Sequence, residues 1–258
     1  MLSIYIAVFI LGSLWGSFSN VCIYRLPEGG NVVSSRSKCR NCQKKINWYD
    51  NIPFISYIIL RGKCRNCDYK ISFQYFLVEL LVGLGFLLSF YFFGFTITTL
   101  LLFILTIFFV IIFFIDLKHF IIPNELTFPL MIIGFFKSFD PNLDKSLFPN
   151  YINSLIGGII GYAIIWFIIF AYKRLRNKEG MGLGDAKLLS AIGFWFGWVS
   201  VPLIIFFSSV IALLYVAPTL INKTKSLTTE IPFGPYLIIG TLVYIIFGNQ
   251  IKLILFNI

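Results

Sequence analysis

Charged residues are scarce in this chain of 258 residues. Asp, Glu, Lys and Arg make up 12% of it, whereas soluble domains usually contain about 25%. A soluble fold of this size could not cover its surface with so few charges. Acidic residues are rarer still, with 11 Asp and Glu against 21 Lys and Arg, and there is a single His. The composition therefore excludes an ordinary soluble domain, and any acid that lies beside an apolar segment becomes a candidate functional residue.

What the chain has instead is long apolar runs. Residues 100–115 contain one hydroxyl and no charge, and 155–172 and 199–221 also contain no charge. A helix needs about 20 mostly apolar residues to span a bilayer, and the runs lack the alternation of a membrane barrel. The sequence predicts an all-α polytopic membrane protein with about eight transmembrane helices. They are placed at 3–23, 74–93, 96–115, 121–137, 152–172, 185–199, 201–221 and 233–255.

The basic residues predict the orientation of these helices. The segment 3–23 has no basic residue before its apolar core and no clear cleavage site, so we expect an uncleaved first helix with its N-terminus outside. The inner loops would then hold 18 of the 21 Lys and Arg, as the positive-inside rule requires. The net charge of +10 thus marks topology, and nucleic acid is not an expected partner.

Four cysteines lie in the long loop after the first helix, in two copies of the sequence Cys-Arg-Asn-Cys. They are Cys39, Cys42, Cys64 and Cys67. Paired CxxC motifs are typical of a tetrahedral zinc site with four thiolate ligands, and a metal would stabilise a loop too short to bury a core. Two disulfides or free thiols are the alternatives, although a cytosolic loop disfavours disulfides. The fifth cysteine, Cys22, is expected only to pack at a helix end.

Two aspartates occupy the ends of apolar segments. Asp116 follows the run 100–115, and Asp185 follows Gly182 and Gly184 at the start of a predicted helix. The predicted topology places both aspartates at the cytoplasmic face, where a carboxylate pair could perform aspartic-protease chemistry. The glycines would allow a tight turn and close approach to another segment. The alternative is that each acid caps a helix end with Lys118 or Lys187 as its partner.

At these positions the chain resembles the bacterial type IV prepilin peptidases. Gly182-Leu-Gly184-Asp185 matches the GxGD signature of that family, and the context of Asp116 is also similar. Further similar stretches follow in the same order along nearly the whole chain: 16–21 with Arg25-Leu-Pro27, the CxxC pairs around Ile52-Pro53, and Ile231-Pro-Phe-Gly-Pro235-Tyr. Ile122 and Asn124 differ from the residues often found at their positions in the family.

The resemblance implies an enzyme with two activities. It would cut the basic leader of type IV pilin-like precursors after Gly, and then methylate the new N-terminus with S-adenosylmethionine. Asp116 and Asp185 would be the catalytic pair, Gly182 and Gly184 would shape the active-site turn, and the four loop cysteines would bind zinc. Glu79 and the stretch 16–20 are candidates for the methyl-donor site by resemblance only. His119 is expected to be an interfacial residue.

These expectations divide the chain into three parts and leave two alternatives. The parts are a first helix at 1–24, a cytoplasmic zinc loop at 25–73 that belongs to the methyltransferase, and a peptidase membrane domain at 74–258. The expected location is the inner membrane, with membrane lipid and pilin or pseudopilin precursors as partners. The alternatives are a transporter or channel with a cation site at the Asp pair, and a noncatalytic assembly protein that docks through its zinc loop.

Overall fold

A computed structural model describes residues 2–32, 37–176, 182–221 and 231–256. Across these ranges the protein is helical and has no extended strand, which confirms the predicted all-α class. The described α-helices are α1 (Leu2–Arg25), α2 (Ile55–Ile59), α3 (Gln74–Phe93), α4 (Ile97–His119), α5 (Asn124–Phe136), α6 (Tyr151–Arg176), α7 (Leu183–Phe196), α8 (Ser200–Ile221) and α9 (Gly234–Phe256).

Five of these helices, namely α1, α3, α4, α6 and α8, are long and apolar enough to cross a membrane. This confirms the multi-span helical class. The helices α5 and α7 have 13 and 14 residues, fewer than the roughly 17 that a perpendicular span needs. The total of about eight spans therefore stays a prediction.

The chain forms two compact units, Met1–Ile111 and Ile112–Ile258, and the division falls within α4. In the first unit, α1 and α3 touch through small residues. A β-carbon on Gly16 would lie 2.7 Å from the Cα of Glu79, so the two backbones meet directly. The side-chain Nδ2 of Asn20 also donates to the Tyr75 backbone carbonyl over 3.0 Å. Small residues and interhelical hydrogen bonds are the usual means of packing helices in lipid.

In the second unit, α6 and α7 make the closest helix contact. A β-carbon on Gly193 would overlap the carbonyl of Gly157, since nothing but hydrogen separates the two backbones there. Two hydroxyls bond across the same contact: Ser154 Oγ donates to the Phe194 carbonyl over 2.7 Å, and Ser190 Oγ donates to a carbonyl of α6 over 2.8 Å. These contacts hold α7, which begins with the GxGD sequence, in a single position.

Helix α5 packs against the other side of α7. The Trp195 side chain is fully buried, and its indole Nε1 donates to the Leu130 carbonyl over 2.8 Å. Gly134 makes room for this ring, because a β-carbon there would lie 2.5 Å from it. Lys137, after α5, is also buried, with its Nζ 3.9 Å from the centre of the Phe148 ring. A cation–π contact thus compensates part of the cost of burying that ammonium.

We predict that Gly193→Ala lowers the free energy of unfolding by about 1–3 kcal/mol, because the added methyl forces α6 and α7 apart. Thermal unfolding of the purified protein in detergent measures the effect. Ala163→Leu is the matched control, since Ala163 lies exposed on α6 and its enlargement should leave the transition unchanged. An unaltered melting temperature for Gly193→Ala would contradict the backbone contact.

Candidate active site and four-cysteine centre

Asp116 lies in the last turn of α4. Its side chain is buried, with 4% exposure. Helix α4 ends at His119. The next residue, Phe120, has a left-handed conformation with φ of 56°, and its backbone amide donates to the Asp116 carbonyl over 2.9 Å. Such a conformation is uncommon for a residue other than glycine. It turns the chain sharply towards Pro123 and leaves Asp116 inside the protein.

Asp185 lies in the first turn of α7 and is also buried, with 8% exposure. Gly182 precedes the helix in an extended conformation, and its carbonyl accepts a hydrogen bond from the Asp185 amide over 3.2 Å. The residues just before it, Gly180 and Met181, lie outside the described residues. The carboxylate therefore sits at a helix N-terminus, where free N–H groups favour negative charge.

The structure brings the two aspartates into one cluster of the second unit. The Gly234 amide, at the start of α9, donates to Asp116 Oδ2 over 3.0 Å. Ile122 lies between Gly234 and Gly184, since a β-carbon on either glycine would lie within about 3.1 Å of its side chain. Gly184 immediately precedes Asp185, and the two carboxylates are close enough for their negative charges to repel each other.

No cation partner for either aspartate appears in the part of the chain that the structure describes. The Lys187 ammonium instead donates to Asn124 Oδ1 over 2.7 Å, and Lys118 is exposed. The alternative of a carboxylate paired with Lys118 or Lys187 is thus not realised among these residues. Helix N-termini and backbone amides provide the compensation for burial at this site.

The two glycines of the GxGD sequence differ in their surroundings. A β-carbon on Gly184 would lie 3.0 Å from the Ile122 side chain, so this glycine allows close approach of the segment after α4. A β-carbon on Gly182 would meet nothing nearer than 3.8 Å, and its φ of −81° is open to any residue. The packing requirement for glycine is therefore stronger at Gly184.

Two residues that contribute to the cluster are not among the site residues that the sequence predicts. The Gly234 amide donates a hydrogen bond to Asp116. The Ile122 side chain packs between Gly184, at the start of α7, and Gly234, at the start of α9. The signal for Gly234 was its position before Pro235, because proline is favoured in the first turn of a helix. Ile122 gave no signal, since its role depends on which segments face each other.

The four loop cysteines form a second centre, in the first unit. The two CxxC segments are structural copies: the Cys39 amide donates to the Lys44 carbonyl over 3.0 Å, and the Cys64 amide donates to the Tyr69 carbonyl over 2.9 Å. Gln43 and Asp68, the residues after each second cysteine, both have positive φ, of 56° and 53°. Such tight turns bring each pair of thiols to the same side.

The four sulfur atoms lie within 4.8 Å of one another, an arrangement that can hold a metal ion. The Sγ atoms of Cys39 and Cys67 are 3.7 Å apart, and sulfurs bound at about 2.3 Å to a tetrahedral zinc lie about 3.8 Å apart. The donor set therefore fits a metal that takes thiolates.

Other candidate residues lie outside these two centres. Cys22 is buried in α1 and is not a member of the four-cysteine group. His119 is half-buried at the end of α4 and belongs to no metal-ligating group among the described residues. Glu79 is buried in α3, and its Oε2 accepts a hydrogen bond from the Phe54 amide over 3.0 Å.

Fold and site together define a helical membrane protein with a buried carboxylate pair and a separate four-thiol centre. Comparison with known families agrees with that class. Residues 10–93 match the bacterial peptidase A24 N-terminal domain, and residues 103–217 match the type IV leader peptidase family. The chain belongs to the type IV leader peptidase family.

Relatives in several bacteria bear the name prepilin leader peptidase/N-methyltransferase. The protein from Stutzerimonas stutzeri is 35% identical, over 97% of this chain and 93% of the relative. Those from Xanthomonas campestris pv. campestris and Neisseria gonorrhoeae are each 36% identical, over 93% and 90% of this chain and 90% and 86% of the relatives. No solved structure gave a significant match to the chain.

We predict that the purified protein carries one thiolate-bound metal ion, and that changing all four loop cysteines to Ser removes it. Elemental analysis of protein purified without added chelator measures the metal content. Cys22→Ser serves as the control and should keep the ion, since Cys22 lies outside the group. Equal metal content in the wild-type and four-serine proteins would disprove the site.

Proposed function

We propose that this protein is an aspartic endopeptidase that removes the basic leader of type IV pilin-like precursors, and that it then methylates the new N-terminus. The observation that carries the proposal is the buried pair Asp116 and Asp185, held without a cation partner in the described residues. The family membership and the names of the relatives support both activities.

In the proposed peptidase reaction the two carboxyl groups hold one proton between them. The ionised carboxylate takes a proton from water, whose oxygen attacks the carbonyl carbon of the peptide bond after Gly. The protonated carboxyl group donates a hydrogen bond to the carbonyl oxygen as negative charge develops there. Collapse of the tetrahedral intermediate breaks the C–N bond, and the leaving nitrogen takes a proton from one of the two carboxyl groups, which then again share one proton. The Gly234 amide keeps Asp116 aimed in this arrangement.

The proposed methyltransferase part is the loop 25–73, and the peptidase part is 74–258, with 1–24 as the first membrane helix. In this assignment the ion held by Cys39, Cys42, Cys64 and Cys67 is structural zinc. Four thiolate ligands complete a tetrahedral shell and leave no position for substrate. The methyl donor is S-adenosylmethionine.

The proposed location is the bacterial inner membrane, with the N-terminus outside and the Asp pair at the cytoplasmic face. The concentration of Lys and Arg in alternate loops supports this orientation. The substrates are pilin or pseudopilin precursors, whose apolar stalk lies in the same lipid as the enzyme. Nucleic acid is not among the proposed partners, because the net charge of +10 is explained by topology.

Intact-mass analysis of a model prepilin, after incubation with the purified protein and S-adenosylmethionine, tests both activities. We expect loss of the leader and gain of one methyl group. Asp116→Asn and Asp185→Asn should each lower the cleavage rate by about 10²–10⁴-fold, the usual contribution of a general acid or base. Each variant should keep the wild-type melting temperature within a few degrees.

Two results would overturn parts of the proposal. Normal cleavage by either Asn variant would exclude that aspartate from catalysis. Cleavage without methylation by the wild-type protein would remove the methyltransferase activity and leave the peptidase. If the folded wild-type protein does not cleave, cation flux in reconstituted vesicles that is lost in both Asn variants would identify a transporter.

We also predict that Gly234→Ala reduces cleavage about a hundredfold, because its β-carbon would lie 2.6 Å from Asp116 Oδ2 and displace the carboxylate. A misplacement of about 1 Å in a catalytic group has an effect of this size. Leu242→Ala is the control on α9, since the Leu242 side chain is 48% exposed. Full activity of Gly234→Ala would show that the Gly234 contact does not position Asp116.

A further inference from the structure

A cavity of about 420 Å³ lies in the first unit, between α1, α3 and the four-cysteine loop. Asn20 and Glu79 line it from the helices, and Arg40, Asp50, Arg65 and Tyr75 are among the residues that line it elsewhere. The volume is within the range of roughly 300–1,000 Å³ that small-molecule sites have. Neither aspartate of the proposed peptidase pair lines the cavity.

Glu79 presents a carboxylate without a cation partner to this cavity. Its side chain is buried, with 8% exposure, and its Oε2 accepts a hydrogen bond from the Phe54 amide over 3.0 Å. No Lys or Arg pairs with it in the ranges that the structure describes. A buried carboxylate is costly unless it is paired, so this part of the cavity favours a ligand with positive charge.

Arg40 presents the opposite charge. It lies in the first Cys-Arg-Asn-Cys motif, with its guanidinium 4.1 Å from the centre of the Tyr24 ring and Nη2 donating to the Tyr75 hydroxyl over 2.8 Å. The equivalent residue of the second motif, Arg65, is bound to both oxygens of Asp50 over 2.6–3.1 Å. Arg40 has no such carboxylate among the described residues.

Among the described residues, the same motif therefore holds one arginine that is paired with a carboxylate and one that is not. Guanidinium groups bind carboxylates and phosphates through charge-assisted, often paired hydrogen bonds. The two tyrosines restrict Arg40 to one position, which lowers the entropy lost when an anion binds. The cavity thus offers a fixed anion-binding group and a separate cation-binding group.

We infer that this cavity is the binding site of the methyl donor, with Arg40 binding the methionyl carboxylate of S-adenosylmethionine and Glu79 facing its sulfonium. The inference rests on the proposed methyltransferase activity and gives that activity a location. It also connects the metal centre to the donor, because Arg40 lies between the metal-ligating candidates Cys39 and Cys42. Loss of the ion would release Arg40 and weaken donor binding.

Three related ligands test these two contacts in a binding titration of the full-length, metal-loaded protein in detergent. S-adenosylmethionine carries a carboxylate, an ammonium and a sulfonium. S-adenosylhomocysteine lacks only the sulfonium charge, and methylthioadenosine lacks all three charged groups. Arg40→Gln should weaken binding of the first two about tenfold or more and leave methylthioadenosine unchanged, as loss of a charge-assisted hydrogen bond predicts. Glu79→Gln should weaken S-adenosylmethionine several-fold more than S-adenosylhomocysteine.

Arg61→Gln and Glu28→Gln are the matched controls. Both residues are exposed and neither lines the cavity, so binding of all three ligands should be unchanged. Arg40→Lys keeps the charge and should bind S-adenosylmethionine with an affinity between those of the wild-type and Gln proteins. Photo-crosslinking of S-adenosylmethionine to the wild-type protein, with peptide mapping, should label residues of this cavity and does not depend on the folding of any variant.

Several outcomes would overturn the inference. Crosslinks that map elsewhere, or wild-type affinity in both Gln variants, would place the donor outside the cavity. A wild-type protein that cleaves prepilin but binds none of the ligands would remove this site and leave the proposed peptidase intact. A folded protein that neither cleaves nor binds would remove the proposed function itself.

Discussion

A carboxylate buried at the end of a membrane-spanning helix has to find its hydrogen bonds within the protein, because lipid supplies none. In this protein the Asp116 carboxylate obtains one from the Gly234 amide. That bond fixes the start of α9 against the end of α4. It requires glycine at position 234, since a side chain there would strike the carboxylate. The rest of the candidate active site is arranged around this contact.

Asp185 reaches the same cluster through a different set of contacts. Its helix, α7, is short and packed on two sides by α5 and α6, with backbone contact at Gly193 and a buried indole at Trp195. Tight packing on both sides leaves α7 little freedom to shift. The Asp185 carboxylate at its N-terminus is therefore held in place within the cluster that contains Asp116.

The four-cysteine centre lies in the other compact unit, Met1–Ile111. Two copies of one short motif, with equivalent turns and equivalent backbone hydrogen bonds, bring four thiols together. The copies diverge only in what surrounds their arginines: Arg65 meets Asp50, whereas Arg40 meets two tyrosines. The two copies thus differ in their surroundings, and both arginines line the cavity next to α3.

The sequence by itself determined the all-helical membrane class, because apolar runs such as 100–115 leave only helices as possible spans. It also determined the four-thiol cluster, because the local turn in each CxxC segment brings its two thiols to one side. The residues Asp116 and Asp185 could be singled out, since acids are rare beside apolar segments. The residues that contact these aspartates could not be predicted from the sequence. The roles of Gly234 and Ile122, and the difference between Arg40 and Arg65, depend on which distant segments meet, and only the tertiary structure decided that.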